Sequence, residues 1–363
     1  LRFIGVIDIS IEDRKIEHIK IAAQKDIEEG STLFDEVQLI HNALPDFNFD
    51  EVNTSTQLFG KPLSAPFIIG AITGGTELSG KINEIFAEAA EQLGIGMYVG
   101  SQRIAIEKPE TRWTFSIIKD KAPSALKIAN IGAPQISKLD ESKAIDWINA
   151  AIDMIDASAI AIHLNPAQEV FQPEGEPWFK GVIDKIKYIA KSINKPVIVK
   201  EVGNGISKEV AAKLKDSMVS AIDVGGIGGT SFIKIEAERW RRTDISELSS
   251  VFNGWGIPTA ISICEVKSVF DGVILASGGI RSGLDGVKAI ALGASAFTMS
   301  RPMLINALNG KDQLMQFAER VVREFKIAMF LTGSKCIGDL PNLPIILGPT
   351  IINWLAQRGV RCR

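Results

Sequence analysis

Ala159-Ile160-Ala161-Ile162-His163-Leu164-Asn165-Pro166-Ala167-Gln168-Glu169 opens as a short, branched, apolar run and closes as a burst of hydrogen-bonding side chains. The first half has the length and composition of a strand buried on both faces. A buried strand that exits into an imidazole, two amides and a carboxylate is how α/β barrels build sites at the carboxyl ends of their strands. The chain holds 3 histidines in 363 residues, so one at this position carries weight. A single polar residue there would read as a strand cap satisfied within the core. Four within seven positions, His163, Asn165, Gln168 and Glu169, read as a site.

The same rhythm extends in both directions. Apolar runs at Phe67–Ile72, Ile95–Val99, Leu126–Ile131, Ala159–Leu164, Val197–Val202, Ala221–Val224, Gly272–Ala276 and Ala294–Met299 alternate with amphipathic stretches. These stretches are Gly80–Leu93, Lys143–Ile155, Trp178–Ile193, Ser207–Leu214 and Leu284–Leu292. Eight strand candidates separated by helices predict a single closed (β/α)8 TIM barrel. An open doubly wound sheet would stop at about five or six strands and carry a GxGxxG turn after the first. The barrel is expected over residues 65–332, with residues 1–64 and 333–363 as extensions packed on it. In the first extension Asp13 is expected to cap a helix through Arg14, Lys15 and His18. After the last strand, Gln313–Leu331 predicts a long helix ended by Thr332-Gly333.

With 46% apolar and 23% charged residues the chain has ample material for a core. A net charge of −3 lacks the basic face that a nucleic-acid binder needs. A phosphorylated small molecule requires only a few cations and backbone amides. No run approaches the roughly 18 apolar residues of a membrane span. Asp8, Glu12 and Asp13 interrupt the first residues, unlike a signal peptide. Cys264, Cys336 and Cys362 are odd in number and form no CxxC pair, which predicts reduced thiols in a cytoplasmic protein and no zinc site.

The predicted strand exits concentrate polar residues and glycines. They are Thr73-Gly74-Gly75, Gly100-Ser101-Gln102-Arg103, Asn130, the His163 cluster, Lys200-Glu201, Gly225 to Thr230, Ser277 to Gly283, and Ser300-Arg301. Loops after the seventh and eighth strands of such barrels commonly hold a phosphate. Gly278 and Gly279 allow close backbone approach and Arg281 adds charge, so with Thr230 they form a candidate phosphate site. Lys200 lies in the otherwise apolar Val197-Ile198-Val199-Lys200-Glu201, where an ammonium must be paired or serve a ligand. Pairing with Glu201 is disfavoured because strand neighbours point to opposite faces. An imine-forming lysine, as in barrel aldolases, and a cation set against an electron-rich ring both stay open. Glu169 is the candidate ligand for a Mg2+ completed by substrate phosphate oxygens and water. Arg14, Lys15 and His18 share a helix face and form a candidate anion clamp, against the alternative of a solvated charged face.

Further motifs follow in order: Arg14-Lys15-x-Glu17-His18, Thr73-Gly74-Gly75, Val99-Gly100-Ser101-Gln102-Arg103, His163-Leu164-Asn165-x-x-Gln168-Glu169 and Pro173-Glu174-Gly175. Val199-Lys200-Glu201-x-Gly203, Gly228-Gly229-Thr230, Ser277-Gly278-Gly279 and Lys288 to Ala294 complete the set. Together, from about Asp13 to Val360, they resemble the type 2, FMN-dependent isopentenyl-diphosphate isomerases. The resemblance implies that Arg14, Lys15, Ser101, Gln102, Arg103 and His163 hold a substrate diphosphate, with His18 and Asn165 nearby. Glu169 would bind a bridging Mg2+, and Gln168 would reach the allylic carbons, with His163 and Asn165 as its catalytic neighbours. FMN contacts are implied at Ala71, Ile72, Thr73, Ser101, Asn130, Lys200 and Thr230, and its phosphate at Gly278, Gly279, Arg281, Ser300 and Arg301. Ile72 stands where this family usually has Met, and Gly70 where it usually has Asn or Thr. Ser300-Arg301 replaces a more apolar pair found in some members.

An unactivated alkene has no carbonyl to acidify its C–H bonds, so moving its double bond starts with adding a proton to carbon. The resemblance implies that reduced FMN, through N5, supplies that acid–base function and an electron-rich ring beside the cation-like state. NADPH would serve only as the flavin's reductant, and the product would enter isoprenoid biosynthesis. A homo-oligomer, tetramer or octamer, is implied, with no nucleic-acid or membrane partner. Two other readings stand beside this one. An FMN-dependent oxidoreductase of the hydroxy-acid oxidase or dihydroorotate dehydrogenase kind would use the same phosphate loops but needs a proton-abstracting His or Cys. A non-catalytic flavin-binding barrel needs neither.

Overall fold

The structure, a computed structural model, describes residues 11–240 and 243–361. Eight parallel strands close into one barrel in sequence order. They are Phe67–Ile69, Gly96–Tyr98, Lys127–Gly132, Ala159–Leu164, Val197–Glu201, Ala221–Asp223, Val273–Ala276 and Ala296–Met299. Each lies on one of the expected apolar runs, the third reaching one residue further to Gly132, and the first, second, fifth and sixth stop short of the run's carboxyl end, where a polar or glycine-rich loop begins.

Side chains alternate in and out along each strand. The inward set at the amino ends is apolar: Ile68, Tyr98, Leu126, Ile128, Ala159, Ala161, Ile198, Ala221, Leu275 and Ala296. Leu58 and Leu63 join this cluster from a hairpin, Thr56–Leu58 paired with Lys61–Leu63. Because Leu63 lies just ahead of the first barrel strand, the hairpin plugs the amino-terminal end. The outward faces pack against the helices in a second, larger core that includes Phe67, Phe86, Phe297 and Phe325. The next inward positions after the apolar set are Asn130, His163, Lys200, Asp223, Ser277 and Thr298. The barrel therefore changes from oil to polar within one two-residue step.

Each of the five amphipathic stretches carries a helix. Glu77–Leu93 is capped by Thr76, whose hydroxyl accepts from the Ser79 amide at 3.2 Å. The helix expected from Trp178 starts instead at Val182, because Gly181 takes a left-handed conformation (φ 77°) at its N-cap. The first described helix runs Ile11–Gln24, so Asp13 sits within its first turn rather than capping it. Its carboxylate still complements the helix dipole there. Trp113–Lys121, Phe232–Trp240, Thr243–Ser250, Thr259–Lys267, Arg301–Leu308 and Pro349–Arg358 are among the helices that the periodicity does not predict. The two extensions meet: Val37–Leu39 pairs antiparallel with Ile345–Leu347.

Among the described residues no helix is long and apolar enough to cross a membrane. Cys264 is buried and disulfide-bonded, which corrects the expectation of three reduced thiols. Cys336 is free and exposed; Cys362 lies outside the described residues.

Candidate active site

A cavity of about 1720 Å³, counting its open mouth, occupies the carboxyl ends of the strands under the Ile11–Gln24 helix. Its wall contains every expected site residue except Gln102. Gln102 is fully buried and faces away. Its amide donates to the Ala151 carbonyl at 2.9 Å and its oxygen accepts from the Asn130 amide at 2.9 Å. The expectation that Gln102 touches the substrate is corrected on that ground: it braces the third strand. The alternation is lost there because the second strand ends at Tyr98 and Gln102 is the N-cap residue of the Arg103–Glu107 helix.

The floor is the inward polar layer. Asn130 donates through Nδ2 to the Val99 carbonyl at 3.0 Å, which leaves its oxygen to accept from His163 Nδ1 at 2.8 Å. That assigns the Nδ1–H tautomer and turns the Nε2 lone pair away from Asn130. Burial, reinforced by the charges of Lys200 and Lys15, pushes the His163 pKa down to about 4. The imidazole is thus neutral near pH 7 in the unliganded protein. Lys200, beside His163 in the strand register, forms its ion pair with Asp223 at 3.3 Å. From Glu201 it takes only the backbone carbonyl, at 2.9 Å. The Glu201 carboxylate, raised to about 7 by burial against opposing backbone amides, instead collects the amides of Gly203, Asn204 and Gly205.

One wall is the cluster after the fourth strand. Asn165 Nδ2 donates to Glu169 Oε1 at 2.8 Å and to Gln168 Oε1 at 3.2 Å. The other Glu169 oxygen accepts from the Glu176 amide at 2.6 Å. Gln168 Nε2 donates at 3.0 Å to Glu236, a fully buried carboxylate that sequence reasoning missed. Glu236 also faces His18 Nε2 at 3.0 Å and Arg239 at 2.6 Å. Burial would raise the Glu236 carboxyl, but His18 and Arg239 outweigh it and hold it near 2. Arg239 further binds Glu174 at 2.7 Å and Glu17 at 3.3 Å. The Gln168 amide is therefore held at both ends. The i,i+3 spacing of Glu236 and Arg239 was the available signal, but it lies in a helix the periodicity did not reveal.

The roof is the Ile11–Gln24 helix. Lys15 Nζ reaches the Gly74 carbonyl at 2.5 Å and that of Ser101 at 3.2 Å, joining the first two strand exits. Burial first, then the neighbouring Arg14, lowers the Lys15 pKa to about 7, with Glu12 opposing. Arg103 stands at the rim in ion pairs with Glu107 and Glu176, both 2.9 Å.

At the opposite side the glycine loops stack. Gly278 has φ 99°, and a Cβ there would lie 2.0 Å from the Gly226 carbonyl oxygen. Only glycine lets the seventh exit rest on the sixth. A Cβ at Gly70 would lie 2.0 Å from Ser300 Oγ, so Gly70 and Ser300 belong together. Arg281 and Arg301 both pair with Glu28 at 2.7 Å. Arg301 also donates to the carbonyls of Ala22 and Lys25 at 2.8 and 3.1 Å, so its guanidinium secures the end of the roof helix. Thr298 Oγ1 is buried in the cavity wall without a hydrogen-bond partner among the described residues. With the close-approach glycines, it fits a polar, ring-bearing phosphate ligand such as FMN.

The closed barrel with its stacked glycine loops is a TIM barrel of the FMN-dependent dehydrogenase class, whose family profile matches residues 12–138 and 176–345. Solved structures of mandelate oxidase variants share the fold. One with a monooxide FMN adduct gives a TM-score of 0.60 at 20% identity over 92% of each chain. Another with benzaldehyde gives 0.61 at 20% identity over 95% of this chain and 99% of that one. Nearer relatives are isopentenyl-diphosphate delta-isomerases. That of Pyrobaculum arsenaticum is 56% identical over 98% of this chain and 100% of its own length. That of Sulfurisphaera tokodaii is 49% identical over 97% and 96%. The chain belongs to the type 2, FMN-dependent isopentenyl-diphosphate delta-isomerase family.

Proposed function

We propose that this protein interconverts isopentenyl and dimethylallyl diphosphate, with FMN in its reduced state and Mg2+ on the diphosphate. The observation that carries the reading is the meeting of three features in one cavity: stacked glycine phosphate loops, a cationic roof, and the Asn165–Gln168–Glu169 cluster. Bound reduced FMN would supply an acid–base nitrogen and an electron-rich face able to stabilise positive charge on carbon.

The chain's own residues do the rest. Arg14, Lys15 and Arg103 bind the diphosphate, a non-reacting part of the substrate whose anchoring fixes the alkene. His163, neutral when the site is empty, takes up a proton beside this anion and donates through Nε2. Glu169 would hold Mg2+ together with Asn165 Oδ1, which is buried without a hydrogen-bond partner among the described residues. Substrate oxygens and water complete such a shell. Gln168 has no useful acidity; fixed by Asn165 and Glu236, it orients rather than donates. NADPH would be needed only to prime the flavin, the site of action is the cytoplasm, and the working form is a homo-oligomer.

A hydroxy-acid oxidation would require a basic imidazole at the flavin. His163 has Nδ1 committed to Asn130, and His18 Nε2 faces Glu236. An aldolase would need an amine open to a carbonyl, whereas Lys200 is held by Asp223, Glu201 and Ser277. The test is to purify the protein, record its flavin spectrum, reduce it with dithionite under anaerobic conditions and add isopentenyl diphosphate with Mg2+. Isomerisation only in the reduced sample is expected. A colourless protein that refuses added FMN would contradict the reading.

A further inference from the structure

Asp223 is a fully buried carboxylate that the proposed substrate and metal contacts leave unused. It pairs in register with Lys200 on the neighbouring strand. Both point inward, two residues beyond Ala221 and Ile198 of the interior cluster. Lys200 Nζ lies 3.3 Å from Asp223 Oδ2, 2.9 Å from the Glu201 carbonyl oxygen and 3.3 Å from Ser277 Oγ. The contacts to Glu201 and Ser277 are hydrogen bonds, whereas Asp223 Oδ2 meets the ammonium as an ion pair and has no hydrogen-bond partner among the described residues. The Ser277 hydroxyl donates a short bond to Asp223 and accepts from the Gly225 amide at 3.2 Å. Tyr98 closes the network from within the barrel, its ring centroid 6.0 Å from Lys200 Nζ. Lys200 lines the cavity, while Asp223 lies behind it, outside the lining.

This arrangement makes Lys200 a fixed charge and not a proton shuttle, because freeing the head group would break three buried contacts at once. A ligand ring in the cavity would meet the cation in front and the anion behind it, so the anion attenuates the field without cancelling it. We propose that Asp223 is a positioning residue for the flavin: it pins the Lys200 ammonium and sets how far that charge favours the reduced, electron-rich ring. The inference rests on the reading that Lys200 faces FMN. Charge near the ring is one of the levers by which a protein tunes a flavin.

The test is the midpoint potential of bound FMN, measured anaerobically on the holoprotein. Asp223→Asn removes the counter-charge, so the potential should rise. Lys200→Met removes the cation, so it should fall. In the double variant the two shifts should not add: the direct effect of the Asp223 charge remains, but the part that acts by positioning Lys200 is lost. A potential unchanged in Asp223→Asn, or a shift of the same size in the Lys200→Met background, would overturn the inference. Should Asp223→Asn fail to fold, Ser277→Ala carries the test. It keeps both charges but removes the hydroxyl they share, and its shift must shrink beside Lys200→Met. A wild-type protein that binds no flavin would instead sink the underlying functional reading, so the two failures are distinguishable.

Discussion

The two ends of the barrel strands are made of the same backbone and do opposite work. Toward the amino ends the inward side chains are Ile68, Ile128, Ala161, Ile198 and Ala221, sealed by Leu58 and Leu63 of the hairpin. One inward step further stand Asn130, His163, Lys200 and Asp223, about 6.6 Å along the strands. Period-two alternation lets a strand be core at one residue and site at the next but one. Stability and chemistry are thereby separated along the barrel axis, and each end can be attacked without the other.

The largest effect is expected at the open end. Glu169→Gln removes the carboxylate proposed to hold Mg2+ and should lower kcat roughly a thousandfold, on the scale of losing a preorganised charge in a catalytic site. Activity measured against Mg2+ concentration should lose its metal dependence as well. Unchanged turnover would remove Glu169 from the metal site. The closed end should respond in stability alone. Leu63→Ala, in the plug and 2% exposed, should cost about 2–5 kcal/mol in a guanidinium titration. Turnover per folded molecule should be preserved; lost flavin binding would show that the ends are not separable.

A smaller effect follows from Lys15, whose pKa is held near 7 in the unliganded protein by burial and Arg14. A diphosphate favours the protonated lysine, so binding should take up a proton above pH 7. Affinity for inorganic diphosphate should then fall about tenfold per pH unit above that value. Calorimetry in buffers of different ionisation enthalpy would detect the proton, and Lys15→Met should abolish the slope. The smallest change is expected for Arg301→Ala. Loss of its contacts to the roof helix should raise the substrate KM about fivefold, the order of a cationic helix cap. If weakened FMN binding appears instead, Arg301 serves the flavin phosphate directly.

The barrel was legible because parallel strands covered on both faces read as apolar runs. Their exits were legible because glycine and polar residues cluster where the backbone meets ligands. What escaped depends on partners remote in sequence. The Val37–Leu39 and Ile345–Leu347 pair joins segments with little patterning of their own. Asp223 reads as an ordinary strand-end acid until the register sets it beside Lys200. Glu236 gains its role only when the Phe232–Trp240 helix brings it to His18 and Gln168. Gln102 misled because its motif neighbours, Ser101 and Arg103, do face the cavity. The amide between them turns into the wall.

Solvent deuterium gives the most direct check that the polar mouth adds and removes protons without consuming electrons. Reduced holoprotein would be incubated anaerobically with isopentenyl diphosphate in D2O, following the product by NMR and the flavin by absorbance. The account predicts dimethylallyl diphosphate carrying solvent deuterium, with the flavin still reduced at the end. Stoichiometric flavin oxidation, or equal conversion by the oxidised protein, would contradict it.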